Sequence, residues 1–270
     1  MAVLRLSFTN LAAGAAASAS ASAQTCEFCS SEAQAPQRPF RPWRTPTTTT
    51  TAEWLLDLGS SQTLDVVALV NANFTSATIQ GASSSGLFAA PGYNEAVALT
   101  RDALTQRFQH THITTGFGYR WLRVKLDACS QAGTGATSTY FSLGGLWAGA
   151  LTSAPTHLQA DATLRTILPR LDVGPSHGGW TQRLKQGEPR AQIRGTLSAG
   201  ITPTTPLLND DADTWASLFR QWWTADYAFV FLNLNNTRQG YLFRSVDDIE
   251  YRLDGTRALV SVNLEEVVGP

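Results

Sequence analysis

The sequence has little charge and almost no charge imbalance. Charged residues make up 15% of the 270 residues, and 20 Lys and Arg against 21 Asp and Glu leave a formal net charge of −1. Binding to phosphate backbones needs a basic surface, which this composition does not supply. We therefore expect no nucleic acid among the partners.

Long apolar runs and a paired set of cysteines are also missing. Apolar runs such as Leu64–Val70 are far shorter than the roughly 20 residues of a membrane-spanning helix. Three cysteines cannot all pair in disulfides. Residues 1–23 have the Arg5 and the small residues of a secretory signal but a weak apolar centre, so an N-terminal strand is the alternative. We expect a soluble protein without membrane insertion.

The first half has the pattern of short strands separated by Gly, Ser and Asn. Trp54–Gly59 reads as a strand that ends at a turn, and Leu64–Val70 suits a strand buried on both faces. In Tyr119–Asp127, Trp121, Arg123 and Lys125 alternate with apolar residues, which is the period of a sheet. Many short strands with hardly any helical periodicity predict a β-sandwich over residues 1–153.

The second half, residues 154–270, also reads mainly as strands. Examples are Ala191–Leu197, Tyr227–Leu234 and Ala258–Val268. One amphipathic helix is predicted after Asn209 or Asp210, where four apolar residues recur at three- and four-residue spacing: Trp215, Leu218, Phe219 and Trp222. The fold class is therefore mainly β, with a sandwich followed by a strand-rich α+β domain that carries one helix.

The order of short segments in the first half resembles a known fold. These segments are Ser7–Asn10, Pro42–Thr45, Trp54–Gly59, Ala68–Asn73, Ser76–Ile79, Tyr119–Val124 and Phe141–Gly149. Together they resemble the galactose-binding-like, discoidin-type sandwich of tail-tip proteins in tailed bacteriophages. A second half that ends in Asn263–Val268 looks like that of a distal-tail or minor tail protein. In this resemblance Asp57–Gly59 and Arg120–Arg123 match buried scaffold strands.

The resemblance implies a structural, non-enzymatic role in the virion. The chain would be soluble before assembly and would then form a threefold or sixfold homo-oligomeric ring in the phage tail, in contact with the tail tube and with hub or fibre proteins. Candidate interface residues are Arg41, Trp43, Trp222 and Trp223, because Trp and Arg contribute much of the contact energy between subunits. For Trp223, packing under a neighbouring loop is an equal alternative.

The alternative function is recognition of a surface glycan. Sandwiches of this family often hold a sugar between the loops at one end, above an aromatic platform. Five aromatic residues near predicted loops are candidates for that platform: Trp43, Phe74, Phe88, Tyr93 and Phe117. A phage protein with this property would take a host surface glycan as its partner.

Two groups of residues could hold a metal. Cys26 and Cys29 form a C-x-x-C pair to which Cys129 could add a third ligand for zinc or an iron–sulfur cluster, although a disulfide or reduced thiols fit the sequence as well. His110 and His112 would share one side of a strand, as metal ligands or as a polar face. Since a fourth ligand is missing, we expect no resident cofactor. No sequence motif of a nucleophile or a metalloprotease is present, so we expect no enzyme.

Overall fold

The computed structural model describes most of the first half and the strands of the second. The described residues are 3–20, 29–36, 41–46, 49–101, 108–127, 140–153, 157–158, 163–167, 170–175, 181–186, 190–198, 217, 221, 228–234, 237–245, 250–254 and 257–266. They form nineteen antiparallel strands and two short 3-10 turns, Ser30–Gln34 and Ser85–Ala89. The prediction of a mainly β fold with a sandwich is confirmed.

An eight-stranded sheet is built from residues between Ala16 and Gly149. Its members in chain order are β2 (Ala16–Ala19), β3 (Trp43–Arg44), β4 (Thr51–Ala72), β5 (Ser76–Ala82), β6 (Tyr93–Ala98), β7 (Thr100–Arg101), β8 (Phe108–Asp127) and β9 (Ser142–Gly149). The strand order is β3-β9-β4-β8-β5-β6, with β2 beside β4 and β7 beside β8.

Two long strands fold this sheet into a sandwich. β4 and β8 pair from Thr51 and Asp127 to Ala72 and Phe108, with breaks in register after Asp57, Leu64 and Leu69. Gly59 and Gly116 have φ values of 79° and 76°, which a residue with a Cβ rarely adopts. These irregularities bend both strands, so that each contributes to two layers.

The two layers enclose one core. The front layer consists of β2, the first part of β4, the second part of β8, β5 and β6. The back layer consists of β3, β9, the second part of β4, the first part of β8 and β7. Buried side chains from both layers form a single cluster, which includes Trp54, Ile79 and Val124 from the front and Leu69 and Leu146 from the back.

The back layer is covered on its outer side as well. Val66, Ala68 and Trp147 face away from the main core and form a second buried cluster. The indole N–H of Trp147 donates a hydrogen bond to the Ser7 hydroxyl at 2.9 Å. All eight residues of β9 are buried, and Val66–Leu69 are buried without interruption, as the apolar run Leu64–Val70 predicts.

The remaining strands form a nine-stranded sheet and a separate hairpin. The nine are β1 (Val3–Ser7), β10 (Thr152–Ser153), β11 (His157–Leu158), β12 (Thr163–Ile167), β15 (Arg190–Ser198), β16 (Ala228–Leu234), β17 (Thr237–Ser245), β18 (Glu250–Asp254) and β19 (Arg257–Glu266). The hairpin pairs β13 (Arg170–Pro175) with β14 (Thr181–Gln186).

The first strand of the chain belongs to the sheet of the second half. β1 pairs with β16 along its whole length and with β10 at Arg5 and Leu6. Asn10 then ties the next segment to β9, because its Oδ1 accepts from the Ala148 N–H and its Nδ2 donates to the Leu146 carbonyl, each at 3.0 Å. The division at residue 153 stays a prediction, and strand pairing places Val3–Ser7 with the second half.

The predicted helix falls mostly outside the described residues. Ser217 and Gln221, four residues apart, are helical and exposed. Among the described residues, no helix has the length and hydropathy to cross a membrane.

Gly145 provides a test of the packing between β9 and the 3-10 segment. A Cβ on Gly145 would lie 2.6 Å from Pro36 Cα and 2.7 Å from its Cβ, which requires the backbone to shift. We expect Gly145→Ala to lower the free energy of unfolding by about 1–3 kcal/mol, measured by urea unfolding. The control is Gly118→Ala, since a Cβ there meets no atom within 4 Å. Equal stability of the two variants would contradict this packing.

Candidate functional site

The five aromatic side chains predicted to form a glycan platform are all buried. Their exposed fractions are 0% for Trp43, 0% for Phe74, 8% for Phe88, 7% for Tyr93 and 1% for Phe117. A ring that stacks on a sugar must present a face to solvent, so the prediction of this platform is wrong. These rings instead fill the interior because each covers a large apolar area.

Ring contacts show how these side chains serve the core. Tyr93 and Phe117 meet edge to face with centroids 5.3 Å apart, and Phe74 meets Phe141 in the same way at 6.3 Å. Burial, together with the nearby charge of Glu95, raises the pKa of the Tyr93 hydroxyl above its ordinary value of 10.0.

The other predicted site residues are only partly described. Arg41 is exposed, whereas Trp43 is fully buried and cannot reach another subunit, which corrects that part of the predicted interface. Trp222, Trp223, Cys26 and Cys129 lie outside the described residues.

The structure leaves the metal predictions untested. The Cys29 thiol forms a hydrogen bond with the Ser31 hydroxyl at 3.1 Å. Within the described ranges, no three His, Cys, Asp or Glu side chains are grouped as a metal site would require. His110 and His112 lie on β8 opposite Leu69 and Val67. A metal at either predicted group stays a prediction.

A groove of about 370 Å³ lies on the front layer where β5 begins and β6 ends. Its lining residues are Ser76, Ala77, Thr78, Ala96, Val97, Ala98 and Lys125. Thr78 is paired with Ala96 on one side and with Lys125 on the other, so these three residues form one row across the sheet. The groove exists because small side chains stand here, while the next row carries longer ones. The groove is open to solvent rather than enclosed.

The next row along the strands is a line of hydrogen-bonded polar side chains. Arg123 Nε donates to Gln80 Oε1 at 2.7 Å, and Gln80 Nε2 donates to Asn94 Oδ1 at 2.7 Å. Arg123 Nη1 also donates to Glu53 Oε1 at 3.1 Å. Four neighbouring strands therefore hold these polar groups in fixed positions beside the groove, which reduces the ordering needed when a ligand binds.

Arg123 also fixes the turn that follows β5. Its Nη2 donates to the Phe88 carbonyl at 2.9 Å, and its guanidinium carbon lies 4.3 Å from the centre of the Phe88 ring. The Arg123 side chain is 12% exposed, so its charge is shielded from water and is balanced by Glu53. The turn Ser85–Ala89 thus forms a wall beside the polar line.

A second cluster on the front layer surrounds Trp121. Asp57 is paired with Trp121 in register, and its carboxylate accepts two hydrogen bonds of 2.7 Å from Arg120. The guanidinium carbon of Arg120 lies 5.6 Å from the centre of the Trp121 ring. Asp57 Oδ1 also accepts from the Gly59 N–H at 2.9 Å, which fixes the carboxylate at the bend of β4.

The sequence contained a signal for this face. The alternation in Tyr119–Asp127 placed Trp121, Arg123 and Lys125 on one side of a strand, and the structure shows them half-buried on the outer side while Leu122, Val124 and Leu126 are buried. Glu53, Gln80 and Asn94 were missed because only the pairing of separate strands brings them near Arg123.

Comparisons with known proteins give similarity in fold over half of the chain. No protein-family model matches, and no curated protein matches. A chitosan-binding module of a chitosanase/glucanase from Paenibacillus sp. IK-5 is 22% identical with a TM-score of 0.37, covering 52% of this chain and 98% of the module. The lectin domain of lectinolysin, solved with Lewis B antigen, is 17% identical with a TM-score of 0.38, covering 52% and 95%.

A fucose-binding module of Streptococcus pneumoniae is similar over the same extent. It is 13% identical with a TM-score of 0.38, covering 52% of this chain and 96% of the module.

The ion pair of Asp57 and Arg120 predicts a measurable titration. Hydrogen bonds from Arg120 hold the pKa of Asp57 below its ordinary value of 3.8. Because the folded pKa is depressed, the stability that this pair contributes is present above pH 3.8 and is lost as the pH falls through the folded pKa. In a carboxyl NMR titration we expect Arg120→Gln to raise the pKa of Asp57. The control is Arg165→Gln, because Arg165 lies in the second half of the chain, and it should leave the pKa of Asp57 unchanged. An equal pKa shift in both variants would refute Arg120 as the cause of the lowered pKa.

Proposed function

We propose that this protein is a carbohydrate-binding protein and that the front-layer groove is its binding site. The observation that carries the proposal is the position of the groove beside a rigid line of both donors and acceptors. Asn94 accepts from Gln80 through Oδ1, which directs its amide N–H groups elsewhere, and the Glu53 side chain is 41% exposed. Sugar hydroxyls both donate and accept hydrogen bonds, so mixed polar groups of this kind suit them.

The charges around the groove support a polyhydroxylated ligand over a strongly charged one. The Arg123 charge is balanced by Glu53 through a contact of 3.1 Å. Among the residues that line the groove, Lys125 is the one with a charged side chain. Binding would therefore depend on hydrogen bonds and on apolar contact with the small residues of the floor.

The tail-ring role stays a prediction from the sequence resemblance. It requires a threefold or sixfold assembly with the tail tube and hub or fibre proteins, and location in the virion. Neither the comparisons nor the contacts of the described residues support it. A surface glycan is the partner that both hypotheses share.

Filling the groove tests the carbohydrate proposal. Ala96 is exposed and lines the groove, so we expect Ala96→Trp to keep the fold and to abolish binding on a glycan array. The matched control is Ala90→Trp, at an exposed alanine after the 3-10 turn at the other end of the front layer. Binding that is absent in the unmodified protein, or that survives in Ala96→Trp, would overturn the proposal.

A polar truncation supplies an independent measurement. Asn94 is exposed at the edge strand, but its Oδ1 accepts from Gln80, which is 7% exposed, so Asn94→Ala should keep the fold and lower the free energy of unfolding by about 1 kcal/mol. Loss of its amide should weaken glycan binding by about two- to tenfold, since one hydrogen bond contributes roughly 0.5–1.5 kcal/mol. Titration calorimetry with the best ligand of the array measures this change. An unchanged Kd would remove Asn94 from the site.

A further inference from the structure

We propose that the ligand is an extended oligosaccharide, which runs from the groove along the strands of the front layer to a second contact at Trp121. This inference rests on the proposed carbohydrate function and adds the length and direction of the ligand. It follows from the placement of three successive rows of side chains on one face of the sheet.

The three rows are set by alternation along β8. Lys125, Arg123 and Trp121 are two residues apart and share the outer side of the front layer, where all three are half-buried. With a rise of about 3.3 Å per residue, Trp121 lies about 13 Å from Lys125 along the strand. A single sugar ring cannot contact both ends of this path, whereas a short chain of rings can.

The Trp121 end has the chemistry of a sugar subsite. A half-buried indole can pack against the apolar face of a pyranose ring. Next to it, the Asp57 carboxylate is an acceptor and the Arg120 guanidinium a donor, with side chains 16% and 45% exposed. Their mutual hydrogen bonds of 2.7 Å hold both groups in place before any ligand arrives.

The middle row connects the two ends. Arg123, Gln80 and Asn94 extend across the sheet between the groove row and the Trp121 row. The turn Ser85–Ala89 covers Arg123, whose guanidinium carbon lies 4.3 Å from the centre of the Phe88 ring. The open part of the path is on the β4 side, where Glu53 and Leu55 are partly exposed and stand in register with Lys125 and Arg123. A ligand along the strands is therefore guided by a wall on one side.

The test is the dependence of affinity on chain length. The full chain is titrated with mono- to hexasaccharides of cellulose, laminarin and chitin, using NMR shifts for weak binding and calorimetry for tight binding. In the series that binds, we expect the Kd to fall roughly tenfold or more between one sugar and four. Trp121→Ala should remove this increase in affinity with chain length and keep the affinity for the single sugar.

Two further variants keep the test decisive. Arg120→Ala changes an exposed residue of the same cluster and should reduce the chain-length gain even where Trp121→Ala does not fold. Tyr140→Ala is the matched control, because Tyr140 is a half-buried ring with Arg44 at 4.5 Å, placed beside the back layer. The Tyr140→Ala variant should keep the full increase in affinity with chain length.

The outcomes separate this inference from the function on which it rests. Binding of a single sugar with no gain for longer chains would overturn the second contact and leave the groove in place. Equal gain in the unmodified protein and in both Trp121→Ala and Arg120→Ala would also overturn it. Absence of binding for every sugar and chain length, on the array as well, would overturn the proposed function itself.

Discussion

The antiparallel pairing of β4 with β8 is the constraint on which the sandwich depends. These strands have 22 and 20 residues, and both pass through the two layers. Because they stay paired through their bends, the two layers are held face to face by continuous chain and by one shared core. Every other strand of the sandwich adds to this pair directly or through one neighbour.

The same pair decides which surface is open. The back layer is buried on its outer side, where Trp147 meets Ser7 of the strand β1. The front layer carries polar and half-buried residues on its outer side, including Glu53 and Arg123. Since alternate residues of a strand face opposite sides, the strand that buries Leu122 and Val124 also presents Trp121 and Arg123.

Arg123 joins the core strands to the proposed binding face. It contacts residues from three segments besides its own strand: Glu53 on β4, Gln80 on β5 and Phe88 in the turn. Such a residue contributes to the shape of the site through its neighbours as much as by contact with a ligand. Small residues in the adjacent row then form the groove, because their side chains leave space above the backbone.

The sequence determined the class of fold and, in the segments with a clear pattern, the side on which each strand residue lies. Alternation in Tyr119–Asp127 and the apolar run Leu64–Val70 were sufficient, because burial selects one face of a strand or both. Successive residues also face opposite sides at the end of β19. Glu265 is half-buried and pairs with Arg190 at 2.5 Å, whereas Glu266 is buried and accepts from the Ala191 N–H at 2.8 Å.

Tertiary structure alone decided the continuity of β4, the partners of β1 and the composition of the groove. Gly59 and its neighbours read as a turn between two strands, yet β8 continues to pair on both sides of them. Nearness to a loop suggested exposure for Trp43, Phe74 and Phe117, but large rings are drawn into whatever core the layers enclose. The groove joins residues of three strands that are up to 49 positions apart, from Ser76 to Lys125. A local pattern specifies which way a side chain points, and only the register between strands specifies what it meets.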